Sequence, residues 1–272
     1  MAGFYGGKSN INIVIPLGKA EKNMKMFRRA GALLLCLLMF AGAAGAEHLQ
    51  DQQLMSYYQN SVVVGDSIPR MLRNYIAGKQ ETDPTYFEGM RFFTYYSYML
   101  RSAAREKPEE EEVNLVLKGT DYTLCQLMGQ LQPDKVFILA GLNDKIGEKI
   151  DQGMAYVDEI MRLMAQYAPD TKVYFFSLTP VTYRVEDERP GITERWNEYN
   201  ARLQQKCVEV GALYVDVATP LKNEKGFLPM EWSHDSQYHL NDEGNAIWVQ
   251  TLLDYAQSRY DAGLWSPENG GY

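Results

Sequence analysis

Four short apolar runs, each bounded by turn-forming residues, alternate with longer stretches in which apolar residues recur every three or four positions. Apolar runs of this length predict β-strands that are buried on both faces. They are SVVV (61–64), KVFILA (135–140), KVYFFSL (172–178) and ALYVDV (212–217). The pattern therefore predicts a central sheet built from these runs.

The longer stretches predict amphipathic helices, because apolar residues spaced three and four apart fall on one helix face. Two such helices are predicted over residues 150–168 and 192–211, and a third over residues 242–260. Strands that alternate with helices indicate an α/β fold with a parallel sheet covered on both faces. The segment 79–120 has the least regular pattern and predicts mainly loops.

The beginning of the chain has the composition of a secretory leader. Basic residues precede a short apolar run, Ala30 to Phe40, which is too short for a comfortable membrane span. Ala44-Gly45-Ala46 then offers the small residues that a signal peptidase requires. An uncleaved N-terminal anchor is the alternative interpretation.

We expect translation to start at Met24 or Met26 and cleavage to follow Ala46. Residues 47–272 would then form a single domain of 226 residues with a net charge of −13. This charge argues against nucleic acid or anionic lipid as a partner. The expected location is the periplasm, the cell envelope or the exterior, without stable membrane association.

Two cysteines remain after this cleavage, Cys125 and Cys207, and both lie in helix-like sequence. Two buried free thiols are as well supported as a disulfide. The chain has no Cys-x-x-Cys motif and no cysteine–histidine spacing typical of a metal site.

Residues suited to catalysis follow the first predicted strand, at the edge where open parallel sheets bind ligands. Gly65 permits a tight exit from the strand, and Pro69 suits the first turn of a helix. Ser67 would therefore lie at a strand-to-helix turn, with an exposed hydroxyl close to free backbone N–H groups. The alternative is an ordinary Gly-Asp-Ser turn in which Ser67 or Asp66 caps the helix.

A serine nucleophile needs a base, and histidine is the usual one. The chain has three histidines, of which His48 would lie at the mature N-terminus. His234 and His239 lie in the segment WSHDSQYHLNDEGNAIW, which leads into the last predicted helix. The base, if there is one, is His239 or His234, and His239 would lie on the loop at the active edge.

Asn143 follows the second predicted strand within Gly141-Leu142-Asn143-Asp144. Its side-chain amide is a neutral donor that can stabilise a developing oxyanion. The alternative is that Asn143-Asp144 only forms a turn before the next helix.

Together, the motifs of these segments and their order along the chain resemble those of the SGNH (GDSL-type) hydrolases. The resemblance rests on Gly65-Asp66-Ser67, Gly141-x-Asn143-Asp144 and His239-Leu240-Asn241, and it covers roughly residues 60–260. It implies a flavodoxin-like three-layer α/β/α sandwich and serine esterase chemistry without metal or cofactor. Ser67 would be the nucleophile and His239 the base. The Ser67 backbone N–H and the Asn143 side chain would be oxyanion donors.

The catalytic acid departs from the pattern of this family. The acid commonly lies three residues before the histidine, where this chain has Ser236. Asp235 lies four residues before His239. Either the loop carries one extra residue and Asp235 still orients His239, or the enzyme works as a Ser–His dyad.

The oxyanion glycine of the family is also missing, because residues 91–103 contain no glycine. We expect the backbone N–H of Ser97 to take its place, since the chemistry requires only an N–H. Gly89 is a weaker candidate.

The sequence therefore predicts a secreted serine esterase that hydrolyses small, acetyl-type esters, with O-acetylated glycans as the substrate class suggested by the family. An O-acyltransferase that uses the same site is one alternative, and an inactive envelope protein that binds glycans or a protein partner is another. A metal site is a weak alternative, because its spacing matches known ligand patterns poorly. That site would comprise His234, Asp235, His239 and Asp242.

Overall fold

The computed structural model describes residues 48–268 of the 272-residue chain. The predicted signal sequence, its cleavage after Ala46 and the start at Met24 or Met26 lie outside the described residues. No helix among the described residues has both the length and the apolar character needed to cross a bilayer.

Seven strands are described: β1 (Ser61–Gly65), β2 (Met90–Thr94), β3 (Leu115–Leu117), β4 (Thr120–Tyr122), β5 (Lys135–Leu139), β6 (Lys172–Phe176) and β7 (Leu213–Val215). The central sheet has five parallel strands in the order β2-β1-β5-β6-β7. Val63 in β1 pairs with Phe92 on one side and with Phe137 on the other. A separate antiparallel hairpin is formed by β3 and β4.

Helices cover both faces of this sheet. The helices are α1 (Asp51–Met55), α2 (Ser67–Gln80), α3 (Leu100–Ala103), α4 (Leu124–Leu131), α5 (Ile150–Tyr167), α6 (Tyr183–Glu188), α7 (Ile192–Val210) and α8 (Asp242–Asp261). Helix α8 packs against α1 and α2, whereas α5 packs against α3, α4 and α7. These two groups form the outer layers, and the predicted three-layer α/β/α sandwich is confirmed.

The four apolar runs form strands and the three amphipathic stretches form helices, as predicted. Residues 61–65 and 135–139 are buried along their whole length, which explains their continuous apolar character. Helix α7 ends at Gly211, whose φ of 75° lies in the left-handed region that glycine adopts at low cost.

The expectation of loops over residues 79–120 is wrong in part, because this segment contains β2 and the β3–β4 hairpin. Strand β2 lies at the sheet edge, and its central residues are only half-buried, so it lacks the continuous apolar pattern. The hairpin turns at Lys118-Gly119, where both residues have positive φ, as two-residue hairpin turns require.

Cys125 in α4 and Cys207 in α7 are buried free thiols, which decides between the two alternatives left open by the sequence. Burial raises the pKa of both thiols to about 12, so they stay protonated near neutral pH.

The strand order positions a crevice at the carboxyl end of the sheet. Strand β1 has β2 on one side and β5 on the other, so the chain changes direction between β1 and β5. Ligands bind at this switch point in open α/β sheets. The residues that follow β1 and β5 therefore meet at one edge.

Candidate active site

Ser67 is the first residue of α2 and follows the tight exit from β1. Gly65 permits this exit, because a Cβ at that position would lie only 2.1 Å from the Leu139 carbonyl oxygen. The Asp66 side chain caps the helix by accepting the Ile68 N–H at 2.9 Å. The Ser67 N–H, in the first turn, has no acceptor within the helix.

His239 lies against the Ser67 hydroxyl, with 2.8 Å between its Nε2 and Oγ. It is held on the loop before α8, which begins where the Asn241 side chain accepts the Gly244 N–H at 3.1 Å. The predicted exposure of the Ser67 hydroxyl is wrong in degree, because the residue is only 8 % exposed.

Asp235 contacts the other ring nitrogen of His239, with 2.6 Å between Oδ2 and Nδ1. Its Oδ1 accepts the backbone N–H groups of Gln237, Tyr238 and His239. Partial burial alone would raise the pKa of Asp235, but the hydrogen bonds from the His239 side chain and the Gln237 N–H outweigh burial and lower it. The carboxylate is therefore ionised beside the imidazole at neutral pH.

Ser236 accounts for the four-residue spacing between Asp235 and His239. Its φ of 60° is left-handed, and its carbonyl accepts the Thr182 hydroxyl at 2.7 Å. The loop thus accommodates one extra residue while the carboxylate still reaches the imidazole. This geometry is that of the first alternative, in which Asp235 orients His239.

Of the histidines in residues 48–268, His239 is the one hydrogen-bonded to Ser67. His234 is exposed, and its backbone N–H donates to the His239 carbonyl at 2.7 Å. His48 is exposed at the start of the described chain. Over residues 48–268, no three His, Cys, Asp or Glu side chains are grouped so that they could hold a metal ion.

Asn143 lies beyond β5, and its Nδ2 donates to the Tyr98 carbonyl at 3.1 Å. An amide nitrogen carries two hydrogens, so one N–H remains for an oxyanion. The neighbouring Asp144 accepts the backbone N–H groups of Leu100 and Arg101, at 2.6 and 3.2 Å. These bonds hold the β2–α3 loop and the start of α3 against the loop that follows β5.

Ser97 lies on this β2–α3 loop, directly before Tyr98, in a left-handed conformation with φ of 60°. A glycine would adopt this conformation more easily, which agrees with the expectation that Ser97 stands where the family has glycine. Gly89 precedes β2 and thus lies at the amino end of the parallel strands. Gly89 is therefore wrong as a candidate oxyanion donor, because the crevice is at the opposite edge.

Asp66 is a feature of the site that the sequence does not reveal. It is completely buried, and its Oδ2 has no hydrogen-bond partner among the described residues. Burial raises the pKa of Asp66 from 3.8 to about 7, although the Ile68 N–H acts in the opposite direction. A Gly-Asp-Ser sequence by itself indicates only a turn or a helix cap. It cannot show that the carboxyl is buried, because burial depends on tertiary packing.

Residues 63–247 match the GDSL-like Lipase/Acylhydrolase family. A GDSL-like lipase from Bacteroides thetaiotaomicron has a similar structure at 16% identity and a TM-score of 0.52, covering 82% of this chain and 96% of the lipase. A catalytic mutant of Axe2, an acetylxylan esterase from Geobacillus stearothermophilus, is 16% identical with a TM-score of 0.50, covering 72% and 93%. At such identities the likeness shows a shared fold. No curated protein matches the chain.

Proposed function

Since the chain belongs to the GDSL-like Lipase/Acylhydrolase family and is an ester-hydrolysing enzyme, we propose that it removes small, acetyl-type acyl groups from carbohydrates through Ser67. One observation carries this proposal: the continuous hydrogen-bonded contact from Asp235 through His239 to the Ser67 hydroxyl. The contact joins a nucleophile, a base and an orienting acid, as acyl transfer requires.

In the first half of the reaction, Ser67 Oγ attacks the ester carbonyl while His239 Nε2 takes the hydroxyl proton. The tetrahedral intermediate then collapses, and the bond to the alcohol breaks. His239 returns the proton to the departing alcohol oxygen, which leaves an acyl-enzyme on Ser67. The distance of 2.8 Å between Nε2 and Oγ suits direct proton transfer.

Asp235 determines which imidazole nitrogen carries the proton. Its ionised carboxylate accepts the Nδ1–H, so Nε2 is left as the basic nitrogen facing Ser67. The same carboxylate stabilises the imidazolium that forms when the proton moves. Because three backbone N–H groups hold Oδ1, the carboxylate position is fixed before substrate binds.

The developing oxyanion is stabilised by donors from three loops. The Ser67 N–H at the start of α2 and the Asn143 amide lie on the loops that follow β1 and β5. The Ser97 N–H, on the loop after β2, is the third donor. Fixed donors of this kind stabilise the negative charge of the transition state more strongly in a partly buried crevice than donors in water do.

In the second half, water attacks the acyl-enzyme, and His239 takes its proton. The new bond is between the water oxygen and the acyl carbon. The bond to Ser67 Oγ breaks, and His239 returns the proton to Oγ. The products are the free acid and the regenerated hydroxyl.

The carbohydrate part of the proposal is supported by the acetylxylan esterase among the structural relatives. Secretion is a further part, supported by the leader-like composition that ends at Ala46. N-terminal sequencing of the exported protein would test it, with Glu47 as the expected first residue.

Hydrolysis of p-nitrophenyl acetate tests the assigned chemistry, with Ser67→Ala and the matched pair His239→Asn and His234→Asn. We expect Ser67→Ala and His239→Asn to abolish enzymatic turnover, whereas His234→Asn retains it, since His234 makes no side-chain contact with the serine. Equal loss in both histidine variants, or activity that survives Ser67→Ala, would contradict the proposal.

A further inference from the structure

A cavity of about 330 Å³ opens directly beside Asn143, the side chain assigned to the oxyanion. Its wall includes Arg101, Asp144, Lys145 and Lys149. Asn143 belongs to both the cavity wall and the proposed oxyanion hole, so the cavity adjoins the place proposed for the ester carbonyl.

The cavity wall has an excess of positive charge, with three basic residues and one acidic residue. The acidic residue, Asp144, is occupied by hydrogen bonds from the Leu100 and Arg101 N–H groups. Arg101 is itself paired with Glu112, at 2.8 Å. With the charge of Arg101 offset by Glu112, the two lysines face the single Asp144 carboxylate, which leaves a net excess of one positive charge.

Lys145 and Lys149 form no ion pair with any carboxylate in the described part of the chain. Lys145 follows Asn143 by two residues and has a left-handed backbone with φ of 54°. Lys149 follows the short 3₁₀ turn Ile146–Glu148. Both side chains are exposed to solvent, so an incoming ligand can reach them.

This local excess contrasts with the whole chain, whose formal net charge is −8. An acidic surface repels anions in general, whereas unpaired lysines at a crevice attract them locally. We therefore name the cavity the lysine pocket, defined by Lys145 and Lys149.

We propose that the lysine pocket binds an anionic group on the alcohol part of the ester, so that the preferred substrate is an acylated acidic carbohydrate. This inference rests on the proposed function, because a small acyl group leaves only the alcohol part to carry a charge. A carboxylate and a phosphate offer lysine the same attraction, so both belong to the proposed ligand class.

The test compares hydrolysis of three acetyl esters: 4-acetoxybenzoate, 4-acetoxyphenyl phosphate and the neutral 4-acetoxybenzamide. We expect the double variant Lys145→Gln/Lys149→Gln to lower the kcat/KM ratio of anionic to neutral ester about fivefold, which is the upper end of the effect of one exposed ion pair. Comparing variant with wild type cancels the intrinsic reactivity of each ester. The larger loss, for benzoate or for phosphate, identifies the anionic group.

The matched control is Lys107→Gln/Lys118→Gln, which removes two exposed lysines outside the pocket. Lys118 also has a left-handed backbone, with φ of 51°, so it controls for substitution at such a position. The control should keep the wild-type ratio. An unchanged ratio in the pocket variant, or an equal loss in the control, would overturn the inference.

Binding of non-hydrolysable analogues separates this inference from the proposed function. Dissociation constants of 4-acetamidobenzoate and 4-acetamidobenzamide are measured by NMR titration in the wild type and in the Lys145→Gln/Lys149→Gln variant. A selective, about fivefold weakening for the anion supports the pocket even when no ester is hydrolysed. Equal affinities of the two proteins for the anionic analogue would overturn the inference. Selective binding of the anion by a wild-type protein that hydrolyses no ester would count only against the proposed function.

Discussion

The buried carboxyl of Asp66 should make the stability of the protein depend on pH in a defined direction. Its pKa is raised from 3.8 to about 7, by burial first and by the nearby charge of Asp144, with the Ile68 N–H opposing them. Between these two values, the folded protein holds a proton that the unfolded chain has released. The free energy of unfolding therefore falls as pH rises through this window.

The size of this effect follows from the two pKa values. Raising a pKa from 3.8 to about 7 corresponds to about 4 kcal/mol for a single group. About 3 kcal/mol of this loss falls between pH 5 and pH 8, and the loss is nearly complete above pH 8. This is a large fraction of the total stability of a typical domain.

Asp66→Asn removes the titration and keeps an oxygen that can accept the Ile68 N–H. We expect urea denaturation to show that wild type loses about 3 kcal/mol more than the variant between pH 5 and pH 8. Contributions from groups that do not interact with Asp66 cancel in this difference. Parallel stability curves for the two proteins would refute the reasoning, because they would mean that Asp66 titrates alike when folded and unfolded.

Gly65→Ala should destabilise the fold by about 3 kcal/mol or more, because its Cβ would overlap the Leu139 carbonyl oxygen. Gly78→Ala should instead stabilise the fold by about 0.5–1 kcal/mol, because Gly78 lies within α2 and a Cβ there would contact no other atom. Thermal denaturation of both variants measures the two effects, and equal effects would contradict the packing argument. Asn143→Ala should lower kcat about 10²–10³-fold, as loss of one oxyanion donor does. Ser97→Gly should retain kcat, since its backbone N–H is unchanged, and a comparable fall would contradict the assignment of that N–H.

The positions of Ser67 and Asn143 could be predicted because each lies on the loop or turn after a buried strand. Parallel strands end at one edge of the sheet, so their exits meet whatever the intervening sequence. His239 was predictable for another reason, the scarcity of histidine in the chain. These predictions depend on topology and composition, which the sequence reveals well.

The relation of Asp235 to His239 could not be decided in the same way. Sequence spacing gives the number of residues between them but not the left-handed backbone at Ser236 that absorbs the extra one. Strand β2 was missed because an edge strand needs no continuous apolar face, and Phe92 and Phe93 are only half-buried. In both cases tertiary contacts determine a local conformation that propensity leaves open.

The central claim is that Ser67, activated by His239, is the nucleophile. The most direct test is covalent labelling with a fluorophosphonate, followed by intact-mass and peptide mass spectrometry. We expect one adduct per chain, located on Ser67, absent from Ser67→Ala and formed far more slowly in His239→Asn than in His234→Asn. Labelling of Ser67→Ala at the wild-type rate, or an adduct on another residue, would contradict the account.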